Sequence, residues 1–196
     1  MDPASNSVNV LIGLTGSVAT IKLNDLVSDL NHAFSKKGLR ISIRVVATKA
    51  ALFFLDTIPK STEYELYSDA IEWSSWHKKG DPVIHIELRK WADIMLVAPL
   101  DANTLAKLAA GLCDNLLTST LRAWDFSNPV LVCPAMNTFM YTHKLTAIHL
   151  LTCSDLLGYH IIQPSSKLLA CGDIGIGAMA PTPDIATKAA SFFPAP

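Results

Sequence analysis

Short runs of apolar residues alternate along this chain with longer segments in which apolar residues recur every three or four positions. The apolar runs are typical of buried strands. We place five strands at residues 8–14, 40–47, 93–98, 129–133 and 160–163. The first periodic segment predicts a helix with Leu23, Leu26, Leu30 and Phe34 on one face, and Gly38 is suited to cap it.

Further helices are predicted at residues 48–55, 84–91, 103–110, 115–124 and 146–157, and a last one begins at Thr182. Strands and helices therefore alternate, with short connections between them. This order predicts an α/β fold: a single-domain three-layer sandwich around a doubly wound parallel sheet.

Composition narrows the class of protein. Half of the 196 residues are hydrophobic, which is enough for one core and short for two. The net charge is −1 with both signs interspersed, so no surface for nucleic acid is indicated and a small-molecule partner is expected. No apolar stretch approaches the roughly 20 residues that span a bilayer, and the first residues do not have the order of a signal peptide. We expect no membrane association and a cytoplasmic location.

In a doubly wound sheet, ligands bind beyond the carboxyl ends of the strands. The loops there are rich in small and hydrogen-bonding residues, at positions 15–18, 48–50, 99–104 and 134–140. Gly16 and Ser17 open a helix after the first strand and could bind a phosphate. Asn103 and Thr104 could do the same or simply cap a helix. No G-x-G-x-x-G and no P-loop lysine follow the first strand, so a mononucleotide such as FMN is favoured over a dinucleotide or a nucleoside triphosphate.

Residues 169–180 contain three glycines around Cys171, and we interpret this segment as too flexible for a helix or a strand and able to close over a ligand. Cys171 could be a nucleophile, a metal ligand or a proton donor, or a buried apolar residue. The four cysteines form no C-x-x-C pair, so neither a zinc site nor a disulfide framework is expected.

Four other features leave alternatives open. Asn137 could donate to a carboxylate, and Met136 and Met140 could pack on an aromatic ring or fill the core. His85 stands among apolar residues at a predicted helix start and is either structural or functional. The Trp73 to Trp76 pair, in what we interpret as a polar connection, could wall a flavin site, anchor a subunit or pack a loop.

Taken together, seven segments of the chain resemble the homo-oligomeric flavin-containing cysteine decarboxylases, most closely the phosphopantothenoylcysteine decarboxylases of eukaryotes. The segments are residues 16–19, 73–76, 80–88, 99–104, 113–117, 134–137 and 170–173. The resemblance implies a flavodoxin-like (Rossmann-like) fold over residues 8–193, a flexible N-terminus at residues 1–7, a homotrimer with sites at subunit contacts, and no metal.

The same resemblance assigns site residues. FMN would be bound by Gly16, Ser17, Val18, Thr48, Lys49, Ala50, Asp101, Ala102, Asn103, Thr104 and Ala135. Asn137, Met140 and Ala170 would contact the substrate. His85 would be an active-site residue, and Cys171 would donate a proton in the last step.

The implied reaction oxidises the substrate's cysteine to a thioaldehyde, releases CO2 and reduces the resulting enethiol to 4′-phosphopantetheine, with FMN carrying the electrons. Two positions depart from the usual family pattern: Tyr141 stands where tryptophan is common and Asp101 where serine is common. Similar proteins include fungal regulatory subunits of a type 1 protein phosphatase, peptide-cysteine decarboxylases and flavin prenyltransferases. His85, Asn137 and Cys171 together favour the decarboxylase.

Overall fold

The computed structural model describes residues 6–168 and 174–196, and its centre is a six-stranded sheet in which all paired strands are parallel. The strands are β1 (Ser7–Leu14), β2 (Arg40–Ala47), β3 (Glu65–Ser68), β4 (Ile94–Leu100), β5 (Val130–Pro134) and β6 (His160–Ile161). Their order is β3-β2-β1-β4-β5-β6, so the direction of winding reverses between β1 and β4. The predicted doubly wound sheet is confirmed, and ligands of such sheets bind at this reversal.

Helices cover both faces of the sheet. They are α1 (Leu23–Ser35), α2 (Lys49–Leu55), α3 (Asp69–Ser75), α4 (Ile84–Trp91), α5 (Ala102–Ala110), α6 (Leu116–Arg122), α7 (Thr138–Tyr141), α8 (Lys144–Leu151) and α9 (Thr182–Ala190). One core lies under α1 and α9, where Leu30, Phe34 and Ile185 are fully buried. A second lies under α4, α5 and α6, where Leu88 and Leu105 are buried. The two cores confirm the three-layer sandwich.

The buried residues explain why the strands form where the apolar runs predict them. Every residue of β4 and β5 is buried, because parallel strands covered by helices on both faces have no solvent side. The predicted apolar face of α1 is buried in the same way. No helix within residues 6–168 or 174–196 has the length and apolar character needed to cross a membrane.

Several parts of the fold differ from the sequence prediction. The segment before Trp76, predicted to be a connection, forms β3 and α3. The predicted helix at residues 146–157 begins at Lys144 and ends in a π-helical turn, Thr152–Leu156. The prediction that residues 169–180 form no strand is wrong for Ile174–Ala178, which form β8 and pair antiparallel with β7 (Ser165–Leu168). Glycine is accepted in β8 because another backbone approaches it closely.

Candidate active site

The loops after β1 and β4 meet where the winding of the sheet reverses. The side chain of Thr15, which is fully buried, donates a hydrogen bond to the carbonyl of Pro99 at 2.9 Å and accepts one from the amide of Asp101 at 2.8 Å. A buried hydroxyl bonded on both sides holds two loops at a fixed separation. Thr15 therefore joins two of the predicted binding loops.

Asp101 makes the second connection between these loops. Its Oδ1 accepts from the amide of Thr104 at 2.7 Å and caps α5, and its Oδ2 accepts from the amide of Gly16 at 3.0 Å. The alternative that Asn103 and Thr104 cap this helix is wrong, because the cap is Asp101. Thr104 is buried, Ala102 is half-buried and Asn103 is exposed.

We expect Asp101→Ala to lower the free energy of unfolding by about 2 kcal/mol, since it removes a helix cap and leaves the Gly16 amide without its acceptor. Asp101→Ser should lower the free energy of unfolding by about half as much, because a hydroxyl can still cap α5. Urea denaturation of the apoprotein measures both. Glu63→Ala, at an exposed acid, is the control and should change little; equal losses in the two alanine variants would contradict the role of Asp101.

The loop after β2 lies against the same point. The amide of Thr48 donates to the carbonyl of Leu14 at 3.1 Å, and its buried side chain caps α2 by accepting from Ala51 at 3.3 Å. A Cβ added to Gly16 would lie 2.7 Å from the Cβ of Ala50 and 3.1 Å from Asp101 Oδ2. Glycine is thus required at position 16 by the close approach of two neighbouring loops.

These loops fit the phosphate-bearing part of a mononucleotide. Ser17 caps a 3-10 helix, Val18–Lys22, so helices begin after β1, β2 and β4 at one edge of the sheet. Backbone amides at helix N-termini favour anions. Lys49 and Ala50 are exposed there, and Val18 is 44% exposed. The predicted cofactor residues of these three loops are therefore brought together.

The loop after β5 completes this edge. The amide of Ala135, a buried residue, donates to the carbonyl of Leu100 at 2.9 Å. Asn137 caps α7, its Oδ1 accepting from the amide of Phe139 at 2.8 Å. Met140 is half exposed, so the core-filling alternative is wrong for this residue, while Met136 packs against the second core. Phe139 is also exposed, which places apolar surface beside Asn137.

Strand β8 is packed tightly onto this loop. The amide of Met136 donates to the carbonyl of Gly177 at 2.9 Å. Gly177 has a φ of +140°, and a Cβ there would collide with the carbonyl of Met136. A Cβ on Gly175 would lie 2.5 Å from the hydroxyl of Thr138, which is buried and has no hydrogen-bond partner within the described residues. Ala170 and Cys171 belong to residues 169–173, which lie outside the described residues, between β7 and β8.

The three described cysteines differ in environment. Cys133 and Cys153 are buried, and burial raises the pKa of both thiols, that of Cys153 to about 11. Such thiols remain protonated and unreactive at neutral pH. Cys113 is exposed. Neither buried thiol is therefore suited to acid–base chemistry.

His85 lies in the first turn of α4, and its Nδ1 is 2.6 Å from Oε1 of Glu72 on α3. The start of α3 is tied to α6, since Asp69 Oδ1 accepts from the amide of Leu116 at 2.8 Å. Sequence reasoning did not single out Glu72, because its contact with His85 depends on α3, a helix that was not predicted. Trp73 and Trp76 are 76% and 51% exposed, so they do not simply pack a loop.

The candidate cofactor site is thus a cluster of loops at the carboxyl edge of a Rossmann-type sheet that fits a mononucleotide, and a separate contact joins His85 on α4 to Glu72 on α3. The sequence pattern of the Flavoprotein family matches residues 3–193. The phosphopantothenoylcysteine decarboxylase of Oryza sativa subsp. japonica is 53% identical over 178 residues, which cover 91% of this chain and 77% of the relative.

Solved structures are also similar to this one, and two of them carry related names. A cysteine-to-serine mutant of phosphopantothenoylcysteine decarboxylase complexed with pantothenoylaminoethenethiol has a TM-score of 0.85 and 48% identity, covering 95% of this chain and 98% of its own. The FMN binding protein AtHal3 has a TM-score of 0.81 and 48% identity, and the match covers 95% of this chain and 96% of AtHal3. The chain belongs to the flavoprotein family and, within it, to the phosphopantothenoylcysteine decarboxylases. Its flavodoxin-like fold, its flavin cofactor and its class as a decarboxylase enzyme are as the sequence predicts.

Proposed function

We propose that this protein converts 4′-phospho-N-pantothenoylcysteine to 4′-phosphopantetheine and CO2 in coenzyme A biosynthesis, with FMN as its cofactor. The observation that carries the proposal is the junction of the loops after β1, β2 and β4 around Gly16 and Asp101, in a chain about half identical to decarboxylases of this name. The domain that performs the reaction spans residues 8–193.

The cofactor would be held by the four loops at the carboxyl edge. Gly16, Ser17 and Val18 come from the first loop, Thr48, Lys49 and Ala50 from the second, residues 101–104 from the third and Ala135 from the fourth. When bound, FMN supplies a two-electron oxidation of the substrate and later returns the two electrons. Asp101, whose two oxygens accept backbone amides, keeps the first and third loops together.

Asn137 holds the carboxylate that is to leave. The amide of Phe139 fixes the Oδ1 of Asn137, which orients the side-chain amide, and the NH2 group is a hydrogen-bond donor without positive charge. The carboxylate is bound without being neutralised, so it can depart as CO2 once oxidation to a thioaldehyde allows the carbanion to delocalise onto sulfur. Met140, half exposed beside it, and Ala170 would contact the rest of the substrate.

Cys171 would supply the proton for the last step. Reduction of the enethiol needs two electrons and two hydrogens: the bound flavin would supply the electrons with one hydrogen, and the thiol proton of Cys171 would move to the other carbon of the double bond to give 4′-phosphopantetheine. The solved cysteine-to-serine mutant complexed with an ethenethiol supports this assignment. His85 would act as a base on the thiol or orient the substrate.

The active form would be a cytoplasmic homotrimer with sites at subunit contacts. Exposed apolar side chains support this: Val18 and Ile21 follow β1, Phe139 follows Asn137, and Trp73 follows Glu72 on α3. Clusters of exposed apolar side chains mark interaction surfaces. The isolated chain would then be inactive.

The purified protein should be yellow and should release CO2 and 4′-phosphopantetheine from 4′-phospho-N-pantothenoylcysteine, as followed by mass spectrometry. The serine analogue of the substrate is the control, and it should release no CO2 because it has no thiol to oxidise. Light scattering after size exclusion measures the trimer. A yellow protein that releases no CO2 would overturn the proposed substrate.

A further inference from the structure

A carboxylate on one helix contacts the histidine of the next. The 2.6 Å distance joins Glu72 Oε1 to His85 Nδ1, and the two side chains are only 14% and 29% exposed. An exposed pair would be loosened by water, whereas a pair this shielded holds both side chains in place. The contact therefore fixes the orientation of the imidazole ring.

The chemistry of the two groups also fixes which ring nitrogen carries hydrogen. A carboxylate only accepts hydrogen bonds, so the Nδ1 of His85 must be the donor. When the ring is neutral, its lone pair then lies on Nε2, the nitrogen on the far side from Glu72. We infer that Glu72 is a positioning residue that keeps His85 in the Nδ1–H form and so makes Nε2 a base. This inference rests on the proposed function, which supplies the substrate thiol.

In the proton transfer, the S–H bond of the substrate breaks and a bond forms between that hydrogen and Nε2 of His85. The electron pair stays on sulfur as the thiolate that is oxidised next. The ring becomes an imidazolium, and the carboxylate of Glu72 stabilises its charge at 2.6 Å. This assigns His85 the role of base rather than that of a group that only orients the substrate.

The position of Glu72 is itself fixed by the fold. Asp69, one turn earlier on α3, bonds to the first residue of α6, so α3 cannot rotate without losing that bond. Glu87 lies two residues after His85 on α4. Unlike Glu72, it is about half exposed, and it pairs with Lys90 at 3.3 Å instead of with His85. Glu87 is therefore a matched control: it is a glutamate close to His85 in the chain that does not fix the tautomer of the imidazole ring.

The ring nitrogens can be observed directly in protein labelled with 15N-histidine. His85→Gln identifies the His85 signals among those of the six histidines. At a pH where the ring is neutral, the unsubstituted protein should show hydrogen on Nδ1 and none on Nε2. Glu72→Leu, which keeps a side chain of similar size but removes the acceptor, should shift the ring toward the Nε2–H form. Glu87→Leu should leave the spectrum unchanged.

In the same variants, Glu72→Leu should lower kcat by about 10- to 100-fold with little change in KM, the usual effect of removing a partner that orients an active residue. Glu87→Leu should retain kcat. An Nε2–H ring in the unsubstituted protein would overturn the inference even if Glu72→Leu failed to fold, and so would an unchanged ring spectrum in a folded Glu72→Leu. If the unsubstituted protein releases no CO2, the proposed function fails, while the ring spectrum still reports whether Glu72 sets the tautomer.

Discussion

Replacement of Cys171 by serine should stop formation of 4′-phosphopantetheine and leave the enethiol as the final compound. A thiol gives up a proton near neutral pH, with a pKa of about 8.5 in the unperturbed side chain, whereas a serine hydroxyl does not. Loss of a positioned proton donor costs about 10²- to 10⁴-fold in rate. CO2 should still be released, because in the proposed reaction decarboxylation precedes the step that needs the proton.

The amount of CO2 distinguishes a proton donor in the last step from a residue that is needed before decarboxylation. In Cys171→Ser, CO2 should stop at about one equivalent per site, since the electrons taken from the first substrate are never returned to it. Mass spectrometry of the mixture measures the enethiol and CO2 together. Cys113→Ser, at an exposed thiol, is the control and should keep full turnover. Full product formation by Cys171→Ser, or no CO2 at all, would contradict a proton donor that acts last.

The sequence predicts well where the loops of the candidate site lie, because their position depends on the strands alone. Fully buried parallel strands leave an unbroken apolar run, and the first polar residues after it mark the carboxyl edge. Residues 15–18 and 48–50 directly follow β1 and β2, and the segments 99–104 and 134–140 begin in the last residues of β4 and β5 and continue beyond them. The contacts among the loops are not encoded locally. Asp101 bonds to Gly16 across 85 positions, so only the folded chain brings the carboxylate to the amide.

The elements that sequence reasoning missed have weak local signals for physical reasons. Strand β3 has four residues at the edge of the sheet, with Leu66 exposed and only Ser68 buried, so no apolar run marks it. Glu72 belongs to the helix that follows this strand and was missed with it. Strand β8 has glycine at positions 175 and 177, which normally argues against a strand. There the glycines are needed because Thr138 and Met136 leave no room for a Cβ.

Gly177→Ala should disable the site and destabilise the protein at the same time. A Cβ at this position would collide with the carbonyl of Met136, and a φ of +140° is itself unfavourable for alanine. Backbone strain of about 1–3 kcal/mol adds to about 1 kcal/mol for the hydrogen bond between Met136 and Gly177. If β8 moves to relieve the collision, Asn137 moves with the loop, and a displacement of about 1 Å costs about 100-fold in rate.

Gly158→Ala separates the cost of a positive φ from the cost of the collision with the carbonyl of Met136. Gly158 also has a positive φ, +68°, but nothing lies within 4 Å of an added Cβ, and it precedes β6 at the amino edge of the sheet. In this variant the free energy of unfolding, measured by urea denaturation, should fall by about 1 kcal/mol, and kcat should not change. If Gly177→Ala loses no more stability than Gly158→Ala and keeps its activity, β8 does not hold the Asn137 loop in place. A larger loss on both measurements means that β8, through the contact between Gly177 and Met136, holds the loop that carries Asn137, the residue proposed to bind the carboxylate.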